Sequence, residues 1–125
     1  MTSPNIANIT SIVGLNTFVS GISSTSANSI IVTNAASSNK VLRVNSLLAS
    51  NTSSATTNLT VKLFNSATGA GSSASIVSAI AIPTGSTITV IGKDTPYYIT
   101  ENQSIGATCT NLNSVDITAS YEEVS

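Results

Sequence analysis

Apolar and polar residues alternate along most of this chain. Leu59, Val61 and Leu63 alternate with Thr60, Lys62 and Phe64, and Val115, Ile117, Ala119 and Tyr121 alternate with Asp116, Thr118, Ser120 and Glu122. A period of two sends successive side chains to opposite faces of a strand, so one face meets a core and the other meets water. Residues 40–49 differ, with Leu42, Val44 and Leu48 on one face and Val41, Arg43, Asn45 and Leu47 on the other. Apolar side chains on both faces predict a central strand covered on each side. Further strands are predicted around Ile30, Ile31 and Val32, around Ile76, Ile80 and Ile82 with Val77, Ala79 and Ala81 opposite, around Ile88 and Val90, over 97–100, and around Ile105, Ala107 and Cys109.

Turn-forming residues separate these runs. They occupy 34–39, 51–56, 65–73 with Gly69 and Gly71, Pro83-Thr84-Gly85, 92–96, 101–103 and 111–113. In Pro83-Thr84-Gly85 the proline presets φ and the glycine tolerates φ > 0. Turn signals every ~8–12 residues are the pattern of an all-β sandwich or barrel. The prediction is a single antiparallel β-sandwich of about eight strands, jelly-roll or Ig-like, over residues 29–125. Residues 1–28 precede it as an N-terminal arm or edge strand. Their apolar members Ile6, Ile9, Ile12, Leu15 and Phe18 are too diluted by Asn, Ser and Thr to build a core of their own. The arm is therefore expected to contribute more to assembly than to folding.

Composition narrows the function. Ser, Thr and Asn make up roughly two-fifths of the chain, far above average usage. There is no histidine, no tryptophan, one cysteine, and only four basic and five acidic residues. General acid–base catalysis leans on histidine and on paired carboxylates, and metal sites need clustered His, Cys, Asp or Glu. Glu122 and Glu123 are adjacent and point to opposite faces of a strand, so they form no catalytic pair. Asp94, Glu101 and Asp116 are scattered in sequence and read as solvated charges. Cys109 alternates with Ile105 and Ala107 and reads as a small core hydrophobe, with no histidine to activate it. No enzyme, cofactor or metal is expected.

The balance of charge bears on partners. A net charge of −1 with Lys40, Arg43, Lys62 and Lys93 dispersed gives no basic face for phosphates, so nucleic acid is not expected. No apolar run is long enough for a membrane helix, and the N-terminus lacks the pattern of a signal peptide. The N-x-S/T triplets at Asn8, Asn51, Asn58 and Asn102 are expected by chance in so Asn-, Ser- and Thr-rich a chain. Tyr97 and Tyr98 are adjacent in a strand, so one should pack inward while the other is free for an interface. The candidate interface is thus Ile6, Ile9, Ile12, Leu15, Phe18, Tyr97 and Tyr98.

Four stretches carry a family resemblance: 39–51 (NKVLRVNSLLASN), 59–64 (LTVKLF), 82–99 (IPTGSTITVIGKDTPYYI) and 115–124 (VDITASYEEV). From residue 34 onward the chain resembles small virion structural proteins of tailed phages, especially those of marine cyanobacteria. It departs from their pattern at 101–103, where Glu-Asn-Gln replaces an acidic turn containing glycine. The resemblance implies part of a virion, assembled in the host cytoplasm, and does not fix which part; the leading expectation is a capsid decoration (cement) protein that stabilises the head shell. The implied partners are the major capsid protein or other virion proteins. A homo-oligomer is expected, with a trimer favoured. The alternatives are a neck, tail or fibre-associated subunit and a carbohydrate-binding sandwich for host attachment.

Overall fold

The computed structural model describes residues 6–22 and 29–125, except for the side chain of Ile6. Residues 1–5 and 23–28 lie outside the described residues. A single 3-10 turn (Ile6–Asn8) precedes nine strands: β1 (Ile12–Val19), β2 (Ser29–Asn34), β3 (Val41–Asn51), β4 (Thr57–Phe64), β5 (Ser73–Ile82), β6 (Thr87–Ile91), β7 (Tyr97–Ile99), β8 (Gln103–Cys109) and β9 (Val115–Val124). They form two antiparallel sheets, the predicted sandwich. One runs β1-β9-β3-β6 with β7 also on β3, and the other runs β2-β8-β4-β5.

The wiring follows from nested pairing. β4 pairs β5, β3 pairs β6 and β7, β2 pairs β8, and β1 pairs β9, with successive pairs alternating between the sheets. Such a nest is one long hairpin rolled around itself, the jelly-roll arrangement rather than the Ig-like one. β6 and β7 act as one interrupted strand. Ile91 lies opposite Leu47 and Tyr97 opposite Val44, so residues 92–96 bulge out between them.

The core is aliphatic. Ile22, Val44, Leu47, Leu59, Val61, Ile82, Ile91, Ile99, Ile105, Val115 and Ile117 are fully buried between the sheets. Branched aliphatics suit this space because they pack against neighbours on a pleated surface. β9 keeps the predicted alternation, with Val115, Ile117 and Ala119 buried. β3 does not. A bulge between Val44 and Ser46 resets its phase, so Leu42, Val44, Leu47 and Ala49 face the core while Leu48 turns outward. The expected shared face of Leu42, Val44 and Leu48 is therefore corrected: one extra residue inverts every side chain beyond it. In β5 the irregularity around Ala79, at φ 51°, corrects the expected shared face of Ile76, Ile80 and Ile82: Val77, Ile80 and Ile82 lie opposite the buried Val61, Leu59 and Thr57, with Ile82 buried and Ile80 partly exposed on this edge strand. Phe64, expected on a polar face, is buried outside the main core cluster.

Buried asparagines close the two ends of the sandwich. At one end Asn51 Nδ2 donates to the carbonyls of Ala55 and Ile82, both at 2.8 Å. Its Oδ1 accepts from the Ser53 amide (2.9 Å) and hydroxyl (2.8 Å). At the other end Asn34 Nδ2 donates to the carbonyls of Lys40 (2.8 Å) and Ile99 (3.0 Å), while Oδ1 accepts from the Ser38 hydroxyl (2.5 Å). Each asparagine joins the end of a strand in one sheet to a strand end in the other.

Residues 12–19 of the N-terminal segment form an edge strand, and the chain then turns into the core. Gly21, at φ 65°, donates its amide to Asp116 Oδ1 at 2.7 Å. Ile22 follows, fully buried and bonded through its backbone to Val115 and Asn113. Only Gly adopts this φ without strain, and a Cβ here would also press on the Asn113 backbone at 3.3 Å.

Two substitutions test this division. Ile22→Ala should cost about 3 kcal/mol through the cavity it leaves, whereas Phe18→Ala, on an exposed side chain, should stay within about 0.5 kcal/mol. Urea unfolding followed by circular dichroism measures both. Asn51→Ala strands the buried Ile82 carbonyl and should cost about 2 kcal/mol, lowering Tm by roughly 8 °C in a calorimetric scan.

Candidate interaction surface

Exposed apolar side chains gather on β1 and the sheet face beside it. Phe18 is 72% exposed and Ile12 54%, with Val13 and Leu15 also exposed. In β1 the even-numbered residues Ile12, Gly14, Asn16 and Phe18 share the outer face with Val124, Glu122, Ser120 and Thr118 of β9. Val13, Leu15, Thr17 and Val19 share the inner face. Leu15 is exposed even there, because an edge strand meets neighbours on one side only. Two apolar rows cross the outer face. One is Ile12–Val124–Val41 and the other is Phe18–Thr118–Leu48.

The first row borders a cavity of about 100 Å³ lined by Ile9, Ile12, Val41, Arg43, Tyr98, Glu122 and Val124. A volume of this size admits one apolar side chain and falls well short of the ~300 Å³ at which small-molecule sites begin. Its polar margin is matched except at one atom of Arg43. Glu122 Oε1 accepts from Asn45 Nδ2 at 3.0 Å and from Arg43 Nη1 at 3.4 Å. Arg43 Nε is buried without a partner. Lys40 pairs with Glu123 at 2.7 Å. Glu122 and Glu123 thus serve two separate ion pairs, as their opposite facing requires.

The expected interface residues divide. Ile9, Ile12 and Tyr98 meet at the cavity, while Leu15 and Phe18 lie exposed further along β1. Tyr97 packs against the core and Tyr98 is exposed, the inward and outward pair that adjacency in a strand requires. Ile6 opens the 3-10 turn, and its side chain lies outside the described residues. Sequence reasoning missed Leu48 as an exposed companion, and Val41 and Val124 as buried side chains in the floor of the cavity. The alternation of β9 gave a signal for Val124, whereas Leu48 became legible only with the β3 bulge.

The scattered acidic residues hold backbone. Asp116 accepts from Gly21, and Glu101 Oε2 accepts from the Asn39 amide at 3.1 Å. Among the described residues no three His, Cys, Asp or Glu side chains gather as a metal site. Cys109 is 3% exposed, with Sγ 2.8 Å from the Asn111 carbonyl and 3.6 Å from Ser114 Oγ. Ser114 Oγ also reaches Thr57 Oγ1 and the Asn111 carbonyl, so this buried hydroxyl–thiol cluster ties β4, β8 and β9 together at one end. Among the described residues no helix is long and apolar enough to cross a membrane.

Fold and surface together define a jelly-roll β-sandwich with one apolar edge. No protein-family model matches the chain, and no curated protein matches it either.

The Cys109 site makes a direct prediction. In the folded protein a thiol reagent should label Cys109 at least ~100-fold more slowly than in denaturant, because the sulfur is reached only through an opening of the sandwich end. Labelling at the unfolded rate in native buffer would place the thiol at the surface.

Proposed function

We propose that this chain is a non-enzymatic virion structural protein of a tailed phage, a decoration protein bound to the head shell. The observation that supports an assembly role is the concentration of exposed apolar side chains on one edge strand and its outer face, in a domain whose polar groups are largely matched among themselves. Large exposed apolar groups that cluster mark surfaces that other chains cover. The virion as the setting comes from the resemblance of 39–51, 59–64, 82–99 and 115–124, and the jelly roll is an architecture of capsid proteins. The major capsid protein is the proposed partner.

Copy number tests this reading. Quantitative mass spectrometry of purified virions should find the chain at an abundance near that of the major capsid protein. Abundance restricted to a single ring of subunits would move it to the neck or tail, and cryo-electron microscopy of the same particles would show density there instead of on the shell.

One observation favours a second reading, carbohydrate binding for host attachment. The exposed Tyr98 ring stands beside Arg43, Asn45 and Glu122, an aromatic surface next to hydrogen-bonding groups. Under that reading the protein binds a glycan array and Tyr98→Ala abolishes the signal. Absence of binding by the full chain removes it.

A further inference from the structure

Among the described residues the sandwich has four open edges, β1 and β6/β7 in one sheet and β2 and β5 in the other. Long, regular edges invite pairing with other chains, and proteins blunt them with bulges, charges, proline or brevity. Three of the four are blunted. β2 is shifted between Ile30 and Val32, β5 is shifted twice against β4, and β6 is shifted opposite Leu47/Leu48 and then broken before the three-residue β7. β1 has none of these devices. Its eight residues pair with β9 without a register shift, and its sequence IVGLNTFV contains no charge and no proline.

From this edge we infer that β1 pairs antiparallel with β1 of a second copy, joining two sandwiches into one continuous sheet about a two-fold axis. The inference rests on the edge alone and stands or falls independently of the virion role. A two-fold axis normal to the sheet keeps outer face with outer face, so facing residues must have the same parity. The register centred on Leu15 satisfies this. It sets Leu15 against Leu15 of the second copy and Val13 against Thr17 of the second copy on the inner face. On the outer face Ile12 meets Phe18 of the second copy. The row Val41–Val124–Ile12 then continues into Phe18–Thr118–Leu48 of the second copy, and symmetry repeats the join.

Phe18 of the second copy also lands beside the cavity that Ile12 borders and diagonal to Gly14. An ideal Cβ at Gly14 would meet nothing within 4 Å, so the space above it is open to an aromatic ring. With Ile12, Val13, Leu15 and Phe18 contributing from each copy along an eight-residue backbone edge, the buried area reaches roughly 1,000 Å², the lower bound of specific interfaces.

Charge does not oppose the approach. Glu122 and Glu123, opposite Gly14 and Val13, are already matched by Arg43 and Lys40, and Asp116, past the far end of β1, accepts from the Gly21 amide. In this register the row of Glu122 and Gly14 continues into Asn16 and Ser120 of the second copy, both uncharged. The two Glu122 side chains stand about three strand spacings across and two residues along from each other, roughly 16 Å, beyond the ~8 Å screening length of physiological salt.

Sedimentation velocity of the full chain, with single-cysteine cross-linking, tests the pairing. The wild type should sediment as a dimer at micromolar concentration. Leu15→Cys should form an intermolecular disulfide under mild oxidation, because the axis brings each cysteine onto its own copy. Ser78→Cys, on the β5 edge, should not. Phe18→Ser, at an exposed position that folding does not use, should weaken dimerisation at least tenfold while leaving the circular dichroism spectrum of the folded protein unchanged. Leu15→Lys should do the same by placing two ammonium groups at the axis. A wild-type monomer or trimer, a cross-link through Ser78→Cys in place of Leu15→Cys, or a dimer untouched by both Phe18→Ser and Leu15→Lys would each overturn the inference.

Discussion

The sandwich depends on how its two ends are sealed. Apolar side chains hold two sheets face to face, but where a strand leaves one sheet for the other its last carbonyls lose their ladder partners while still in the dry interior. An unpaired buried backbone group costs about as much as a lost hydrogen bond. Asn51 at one end and Asn34 at the other resolve this with a single carboxamide each. Each spends both N–H donors on carbonyls of two different segments and offers its oxygen to a nearby serine. A carboxylate could not donate and a hydroxyl could donate only once. The abundance of Asn, Ser and Thr is thus in part structural, because a chain poor in charge and aromatics closes its corners with neutral hydrogen bonds.

The same chemistry explains why the core can be so simple. Valine and isoleucine fill the space between the sheets without needing polar partners, and the few buried polar side chains lie at the ends. Ser114, Thr57 and Cys109 share hydrogen bonds at the end that Asn51 closes, while Ser104 Oγ reaches the Ser66 carbonyl at the end that Asn34 closes. Tertiary order is built from the ends inward as much as from the middle outward. The edges are the remaining liability. Three are broken up by bulges and interruptions, and those bulges bend strands that must wrap into a roll. β1 alone pairs without a register shift.

Much of the fold was legible in the residues because its rules are local. Alternation located β4, β8 and β9, and Pro83-Thr84-Gly85 and Gly92 to Pro96 marked turns that the backbone bonds Ser86–Pro83 and Thr95–Gly92 close. What alternation cannot show is a break in its own phase. The bulge in β3 falls at Asn45 and Ser46, between Val44 and Leu47, and with Leu47 and Leu48 adjacent the alternation does not say which of the two faces the core. Ala79 at positive φ is equally silent, since alanine carries no preference for that conformation. The choice between jelly roll and Ig-like sandwich depends on which distant strands pair, and period-two patterns are identical in both. The candidate surface was half legible. Ile12, Leu15 and Phe18 stood out as apolar residues in a polar segment, but the rows they extend across β9 and β3 exist only in the register.

The N-terminal segment then has two parts with different physics. Ile22 is as buried as any residue in the molecule and its backbone is bonded on both sides, so its contribution is to folding. Phe18, four residues earlier, is the most exposed large side chain among the described residues, and burial in the monomer gives it nothing. Gly21 separates the two by turning the chain from the edge into the core. A phenylalanine that no fold requires, on a strand without the usual guards against pairing, is stabilised only by something outside its own chain. Glu122 and Glu123 on the neighbouring strand are paired with Arg43 and Lys40, and Asp116, two residues beyond the partner of Phe18, holds the Gly21 amide; stabilisation from outside therefore comes from apolar contact and backbone hydrogen bonding, and salt should have little effect on it.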